Sequence, residues 1–238
     1  MGRSARGATG ARNAGRPVWR PQGDVRVWAL RVPVVSWTSL DLSALDREER
    51  RRMDAFVRDA DRLRYGFAHA ALRTILSGLT GTAPGALRFV RASCPGCGGP
   101  HGRPVLTIPA PEFSLSHSRD MVLVAASSDP IGVDVEPTPE PGVVEDLARI
   151  LHPAERGEIE AAPPEGRPAV FARLWARKEA YLKGLGTGLG RGASVDDVRG
   201  DLPGWRLTDL PVGTGYAAAL AVRSPVPRPV RLHRTLPV

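Results

Sequence analysis

At 238 residues, with 42% hydrophobic and 24% charged content, the chain is long enough to bury a substantial core and has the balance of a soluble globular protein. No apolar run approaches the ~20 residues of a membrane span, and the two cysteines, Cys94 and Cys97, give no disulfide framework, so a reducing cytoplasm is expected. The net charge of +8 and pI near 10.6 call for an anionic partner, whether nucleic acid, a phosphorylated cofactor or an acidic protein.

The first 22 residues hold Arg, Gly, Ala and Pro and no acid, so residues 1–22 read as a disordered tail; they lack the apolar core of a secretory signal. Val25 to Val32 alternates and predicts a strand. Asp41 to Ala60 reads as a helix carrying Arg50, Arg51 and Arg52, and a second helix is expected over residues 61–77, stopped by Gly78 and Gly81. Arg58, Arg62 and Arg64 crowd the junction, as either a solvated charged face or a set of forks for phosphate. Cys94-Pro-Gly-Cys-Gly-Gly-Pro-His101 has a zinc-like spacing but lacks a fourth ligand and a second Cys pair. It reads as a Gly/Pro-rich connecting loop, with zinc at Cys94, Cys97 and His101 left open.

Phe113-Ser-Leu-Ser-His-Ser118 precedes a buried strand, Met121 to Ala125. His117 shares a strand face with Phe113 and Leu115, and the flanking serines offer donors to an anion. Ile131-Gly-Val-Asp-Val-Glu136 is also a strand, in which Asp134 and Glu136 point one way while Ile131, Val133 and Val135 face the core. Adjacent carboxylates repel; either the strand is a wet edge, or a divalent cation such as Mg²⁺ removes the repulsion, and the apolar flanks favour the cation. Short helices are expected over 143–150 and from His152, and a long one from Pro168 to Leu185, closed by Gly184, Gly186 and Gly188. In that helix Phe171, Leu174, Trp175, Leu182 and Leu185 mark an inward stripe, interrupted by Lys178 and Glu179, with Lys183 one turn further. Of 33 basic residues only two are lysine, and both lie here. An internal ion pair would explain them; so would a site that needs a carboxylate and compact ammonium charges. Strands from Trp205 and over 216–222 follow, with a possible edge strand after Pro225.

Three motifs, Ser114-Leu-Ser-His-Ser118, Gly132-Val-Asp-Val-Glu136 and Trp175-Ala-Arg-Lys-Glu-Ala-Tyr-Leu-Lys183, stand in an order and at a spacing that resemble the Sfp-type 4′-phosphopantetheinyl transferases. The resemblance extends upstream to Arg64–Arg73 and to Gly102-Arg-Pro104, and covers roughly residues 25–222. It implies an α/β (α+β) fold of two similar lobes related by a pseudo-twofold, 23–130 and 131–238, with the active site in the cleft between them. It implies transfer of the phosphopantetheine arm of coenzyme A to a serine of an acidic apo carrier protein, acyl or peptidyl, by a cytoplasmic monomer that needs neither nucleic acid nor membrane. The carrier would belong to fatty-acid, polyketide or nonribosomal-peptide synthesis.

Carried over by position, Asp134, Glu136 and Glu179 would hold Mg²⁺ (Mn²⁺ being the alternative), Glu179 would take the serine proton, and Lys183, assisted by Lys178, would contact the attacked phosphate. His117, Ser116, Arg52 and Arg64 would meet the 3′-phosphate, the segment Gly102, Arg103, Pro104 would lie near the adenine, and Glu155 is a further acid of less defined role. Glu49 stands where the family carries a lysine, so Arg50 or Arg51 is expected to substitute; Arg103 stands where a lysine is common. A nucleic-acid-binding protein is disfavoured because aromatics are only 5%. Another Mg²⁺-dependent phosphate enzyme, or a non-catalytic coenzyme A-binding relative, are the remaining alternatives.

Overall fold

Residues 25–237 are described by the computed structural model, so the expectation for residues 1–22 lies outside them. The strands are β1 (Val25–Arg31), β2 (Phe89–Arg91), β3 (Pro104–Leu106), β4 (Glu112–Ser118), β5 (Met121–Ser127), β6 (Ile131–Pro137), β7 (Trp205–Asp209), β8 (Tyr216–Arg223) and β9 (Val230–His233). The helices are α1 (Arg47–Asp54), α2 (Asp59–Thr80), α3 (Pro141–Ala148), α4 (Pro153–Ala161) and α5 (Arg167–Leu185). Mixed helix and sheet is the class expected from the sequence. No described helix is long and apolar enough to cross a membrane.

Strand alternation explains the layering. One sheet runs β4-β5-β1-β9, another β6-β8-β7, and β2 pairs with β3 as a hairpin. Val25, Val27, Ala29, Met121, Leu123 and Ala125 face Ile131, Val133, Val135, Ala218, Leu220 and Val222, so the two sheets bury one another. On the outer face of the first sheet lie Ala68, Leu72, Ile75 and Leu76 of α2. On the outer face of the second lie Ala176, Ala180 and Tyr181 of α5. The order of layers is helix, sheet, sheet, helix. The final strand, β9, returns to pair in parallel with β1.

The first two helices differ from expectation: residues 41–60 do not form one helix, since α1 ends at Asp54 and α2 already begins at Asp59. α1 starts only at Arg47 because Asp46 caps it: its carboxylate accepts from the N–H groups of Glu48 and Glu49, and Glu49 reciprocates to the Asp46 N–H at 2.9 Å. α2 continues through Gly78 and ends at Gly81, whose φ of 72° provides the left-handed cap.

Arg73, wholly buried in α2, fixes this half of the molecule. Its guanidinium donates to Asp46 and Glu49, each at 2.8 Å, and to the carbonyls of Pro84 and Leu87. Glu49 is therefore a structural partner rather than a ligand residue. Arg50 does not take its place at a phosphate either: its guanidinium is bound to the carbonyls of Leu42, Ser43 and Leu45.

The approach of β6 to α5 is unusually close. A Cβ on Gly132 would lie 1.9 Å from the Ala180 carbonyl oxygen and 2.4 Å from the Gly184 nitrogen. Gly184, expected to end α5, instead lies within it and lets Trp205 pack where a side chain would lie 2.5 Å away; Gly186, at φ 80°, is the cap. Gly132→Ala is expected to force β6 off α5 and to destabilise the fold by about 3 kcal/mol or more in urea unfolding, since the obstacle is backbone. A change under about 0.5 kcal/mol, the range of an ordinary surface substitution, would contradict the close-contact account.

Candidate active site

Along β6 the residues facing α5 are Gly132, Asp134 and Glu136; along α5 those returning the contact include Glu179 and Lys183. The absence of a side chain at Gly132 brings Asp134 within reach of both. Asp134 is only 2% exposed. Its Oδ1 accepts from Lys183 Nζ at 2.5 Å and from Ser116 Oγ at 2.7 Å, and Lys183 also donates to Ser116 at 3.1 Å. Its Oδ2 is buried with no hydrogen-bond partner. A buried carboxylate oxygen left bare costs several kcal/mol, so this atom points to a missing cation or donor.

β6 is an edge strand of its sheet, yet it is covered, because β4 of the other sheet lies against it. Ser114 Oγ accepts from the Val133 N–H at 3.1 Å, and Ser116 donates to Asp134 as described. The Ser-x-Ser spacing puts both hydroxyls on one face of β4, so the two serines bridge the sheets. That settles the choice between a wet edge and a covered strand in favour of the covered strand.

The electrostatics fit a site built for a cation. Burial and the Asp134 charge push the Glu136 carboxyl up to about 7, against Lys183 and a Trp175 hydrogen bond that favour its ionised form. Burial and Asp134 likewise raise Glu179, opposed by Lys183. Glu136 and Glu179 thus resist ionisation beside Asp134, which a divalent cation would relieve. Their donor atoms do not form a closed cage. Among the described residues, the one set of three metal-ligating side chains whose donor atoms all lie within 4.8 Å of one another is Cys94, Cys97 and His101.

A second, cationic patch adjoins the acids. Burial, together with the charges of Arg64, His69 and Lys183, pushes the His117 imidazole down to about 4, so it is neutral at pH 7. Arg64 pairs with Asp61 and touches the Arg119 carbonyl. Arg52 is exposed on α1, where its charge acts on the buried Tyr65 phenol, whose ring stacks on His69 at 4.1 Å. Arg51 is also exposed, 4.0 Å from Glu48. Gly102 is buried and admits no side chain, since a Cβ would lie 2.6 Å from the Ala92 carbonyl. Arg103 pairs with Glu112, and its aliphatic stem reaches the Gly186 cap of α5. Pro104 opens β3.

Lys178 is a correction, and Glu155, an acid of undefined role, explains it. Lys178 is expected from the sequence to assist at the attacked phosphate, but it and Glu155 are 1% and 0% exposed and pair with each other at 2.8 Å. Lys178 also donates to the Asp196 carbonyl, and Glu155 accepts from the N–H groups of Val198 and His152. The pair ties α4, α5 and the 196–198 segment together, away from Asp134. Lys183, about 1.4 turns further along α5, faces the acids instead, and its direct partner is Asp134 rather than Glu179. Sequence gave no signal for this division, because the partners Glu155 and Asp196 are distant in the chain.

Beside Glu136 a cavity of about 230 Å³ is walled by Pro137, Pro139, Leu147, Phe171 and Trp175. The larger cavity, about 420 Å³, lies between α3, α4 and α5 and contains none of the site residues.

Lys178→Ala is expected to destabilise the protein by about 3–5 kcal/mol, because it leaves the Glu155 charge buried and uncompensated. Denaturant unfolding checks this; near-wild-type stability with lost catalysis would return Lys178 to the reacting centre.

Residues 130–221 match the family model described as the 4′-phosphopantetheinyl transferase superfamily. The chain is 30% identical to the 4′-phosphopantetheinyl transferase HetI of Nostoc sp., with 84% of this chain and 87% of the relative covered. It is 27% identical to a 4′-phosphopantetheinyl transferase of Bacillus subtilis over 72% of this chain and 74% of the relative. It is 27% identical to the transferase Sfp of Bacillus subtilis strain 168, over 62% and 63%. Identity of this extent, spanning the serine, acid and lysine motifs whose geometry is described above, makes the chain an enzyme of the 4′-phosphopantetheinyl transferase superfamily.

Proposed function

We propose that this enzyme transfers the 4′-phosphopantetheine arm of coenzyme A to a serine of an apo acyl or peptidyl carrier protein and releases 3′,5′-adenosine bisphosphate. The observation that carries the reading is the bare, buried Oδ2 of Asp134 beside two carboxyls that burial holds towards neutrality, with Lys183 against them. Asp134, Glu136 and Glu179 would hold Mg²⁺, which when bound supplies charge neutralisation for the pyrophosphate.

The remaining work belongs to side chains. The serine oxygen forms a bond to the phosphorus bearing the pantetheine arm, and the bond from that phosphorus to the adenosine bisphosphate breaks. Glu179 takes the serine proton; its raised affinity for protons brings it nearer the working pH of a general base. Lys183 shifts from Asp134 towards the charge that develops on the phosphate, as a compact ammonium can. His117 and Arg64 lie at the 3′-phosphate, with Arg52 on its outer side, while Ser116, on the opposite face of β4, bonds Asp134 and Lys183 instead. A phosphate there would favour the protonated imidazole, reversing the present depression of His117. The segment Gly102–Pro104 lies along the adenine, where only a residue without a side chain fits against Ala92. The chain passes from β5 of one sheet to β6 of the other at 130/131, which supports a ligand bound at the seam, while β9 crosses back from the expected second lobe to pair with β1. The net charge of +8 suits an acidic carrier and predicts steering that weakens with salt.

Two experiments test this. Calorimetric titration of coenzyme A is expected to show binding that depends on Mg²⁺ in the wild type and is lost or much weakened in Asp134→Ala and Glu179→Ala, both still folded by circular dichroism; metal-independent affinity would contradict the assignment. Second, because folding raises the Glu136 carboxyl from 4.5 to about 7, the metal-free protein should lose stability as pH rises through that window. Mg²⁺, competing with that proton, should raise the melting temperature more at pH 8 than at pH 5.5. Equal shifts at the two pH values would place the ion elsewhere.

A further inference from the structure

Residues 94–101, in the connection between β2 and β3, have no part in the reaction derived above, yet their side chains are organised. The hairpin is extended by the bonds Ala92 N–H to Arg103 O at 3.0 Å and Gly102 N–H to Ala92 O at 2.9 Å, so residues 92–103 form its tip. Inside that tip the chain folds back twice. Gly98 N–H donates to the Cys94 carbonyl at 2.7 Å, and Cys94 N–H donates to the Gly99 carbonyl, also at 2.7 Å. Gly98 takes a φ of 74°, which a side chain would resist. The backbone N–H groups of Gly96 and Cys97 point at the Cys94 sulfur, an arrangement that stabilises a thiolate ligand. Cys97 Sγ lies 2.9 Å from His101 Nε2, and Gly99 leaves room for both.

We infer that Cys94, Cys97 and His101 form a binding site for a borderline-soft transition metal, zinc foremost, with three protein ligands and a fourth position left to water or another small donor. The three donor atoms already lie within 4.8 Å of one another. A tetrahedral zinc with S and N ligands sets its donors about 3.4–3.8 Å apart, so Cys97 and His101 need to separate by only about 0.5 to 1 Å. Two sulfurs and an imidazole select against Mg²⁺, which prefers oxygen, so this site and the carboxylate site would not compete for one ion. Each thiol would release its proton on binding. Pro95 of the tip and Arg103 at its base border the Gly186 cap of α5, where an added Cβ would lie 3.8 Å and 3.5 Å from them. A metal here would fix the tip against the end of the helix that carries Glu179 and Lys183, and so steady Gly102–Pro104.

The test is elemental analysis of the full chain, made without a polyhistidine tag, purified under reducing conditions and exchanged into metal-free buffer after loading with Zn²⁺. The expected result is about one zinc per chain in the wild type and in Asp134→Ala, and none in Cys94→Ser/Cys97→Ser or His101→Ala. Should those variants fold poorly, the wild type loaded with Co²⁺ in place of zinc gives an independent reading. A thiolate-to-cobalt charge-transfer band together with the intense visible bands of a tetrahedral site supports the inference. Absence of bound zinc in the wild type, retention of it by the cysteine variant, or cobalt spectra without the thiolate band overturns it. Because these readouts count metal and not transfer, they stand apart from the fate of the transferase mechanism.

Discussion

The backbone of β6 and the backbone of α5 touch at Gly132 and Ala180, with no side chain between them. This contact sets the distance at which the acids of the strand meet Glu179 and Lys183 of the helix. It explains how Asp134 can be buried and still reach an ammonium at 2.5 Å. It also explains why the acids face the helix while Val133 and Val135 face the sheet core, since the period of two leaves no other arrangement. A side chain added at Gly132 would part the two elements that assemble the site.

Charge burial then divides the labour within α5. Two lysines five positions apart end on different faces: Lys178 neutralises Glu155 in a dry interior, and Lys183 stands at a half-buried cleft beside Asp134. The first arrangement is stable because both Glu155 oxygens accept hydrogen bonds and Lys178 Nζ has two acceptors, Glu155 and the Asp196 carbonyl. The second is deliberately incomplete. Asp134 Oδ2 has no partner and Glu136 and Glu179 are held above their ordinary range, a distribution of strain that favours a ligand bearing positive charge. On the other side of Lys183, His117 is held neutral by burial and by the charges of Arg64, His69 and Lys183, and those cations favour a ligand bearing negative charge. A magnesium-bound pyrophosphate ester answers both demands.

Much of this was legible in the sequence where the signal is local. Strand alternation located β6 and the common face of Asp134 and Glu136, and helical periodicity located α5; the serines flanking His117 read as donors to an anion, whereas Ser116 donates to Asp134. What sequence missed depends on partners far apart in the chain. Arg73 bonds Glu49 across 24 positions, and Lys178 bonds the carbonyl of Asp196 and pairs with Glu155, neither of which periodicity reveals. The same holds for glycines: Gly78 and Gly184 read as helix stops, but one is tolerated within α2 and the other is required by Trp205. The Cys94 loop was read correctly as a loop, while the convergence of its donors is a property of its turns.

The most direct test of the central claim is the intact mass of apo carrier proteins, one acyl and one peptidyl, after incubation with this enzyme, coenzyme A and Mg²⁺. The account predicts a gain of one phosphopantetheine on the carrier serine, abolished by EDTA and restored by excess Mg²⁺. No gain on carriers that another transferase of the superfamily converts, or a gain indifferent to EDTA, would contradict it.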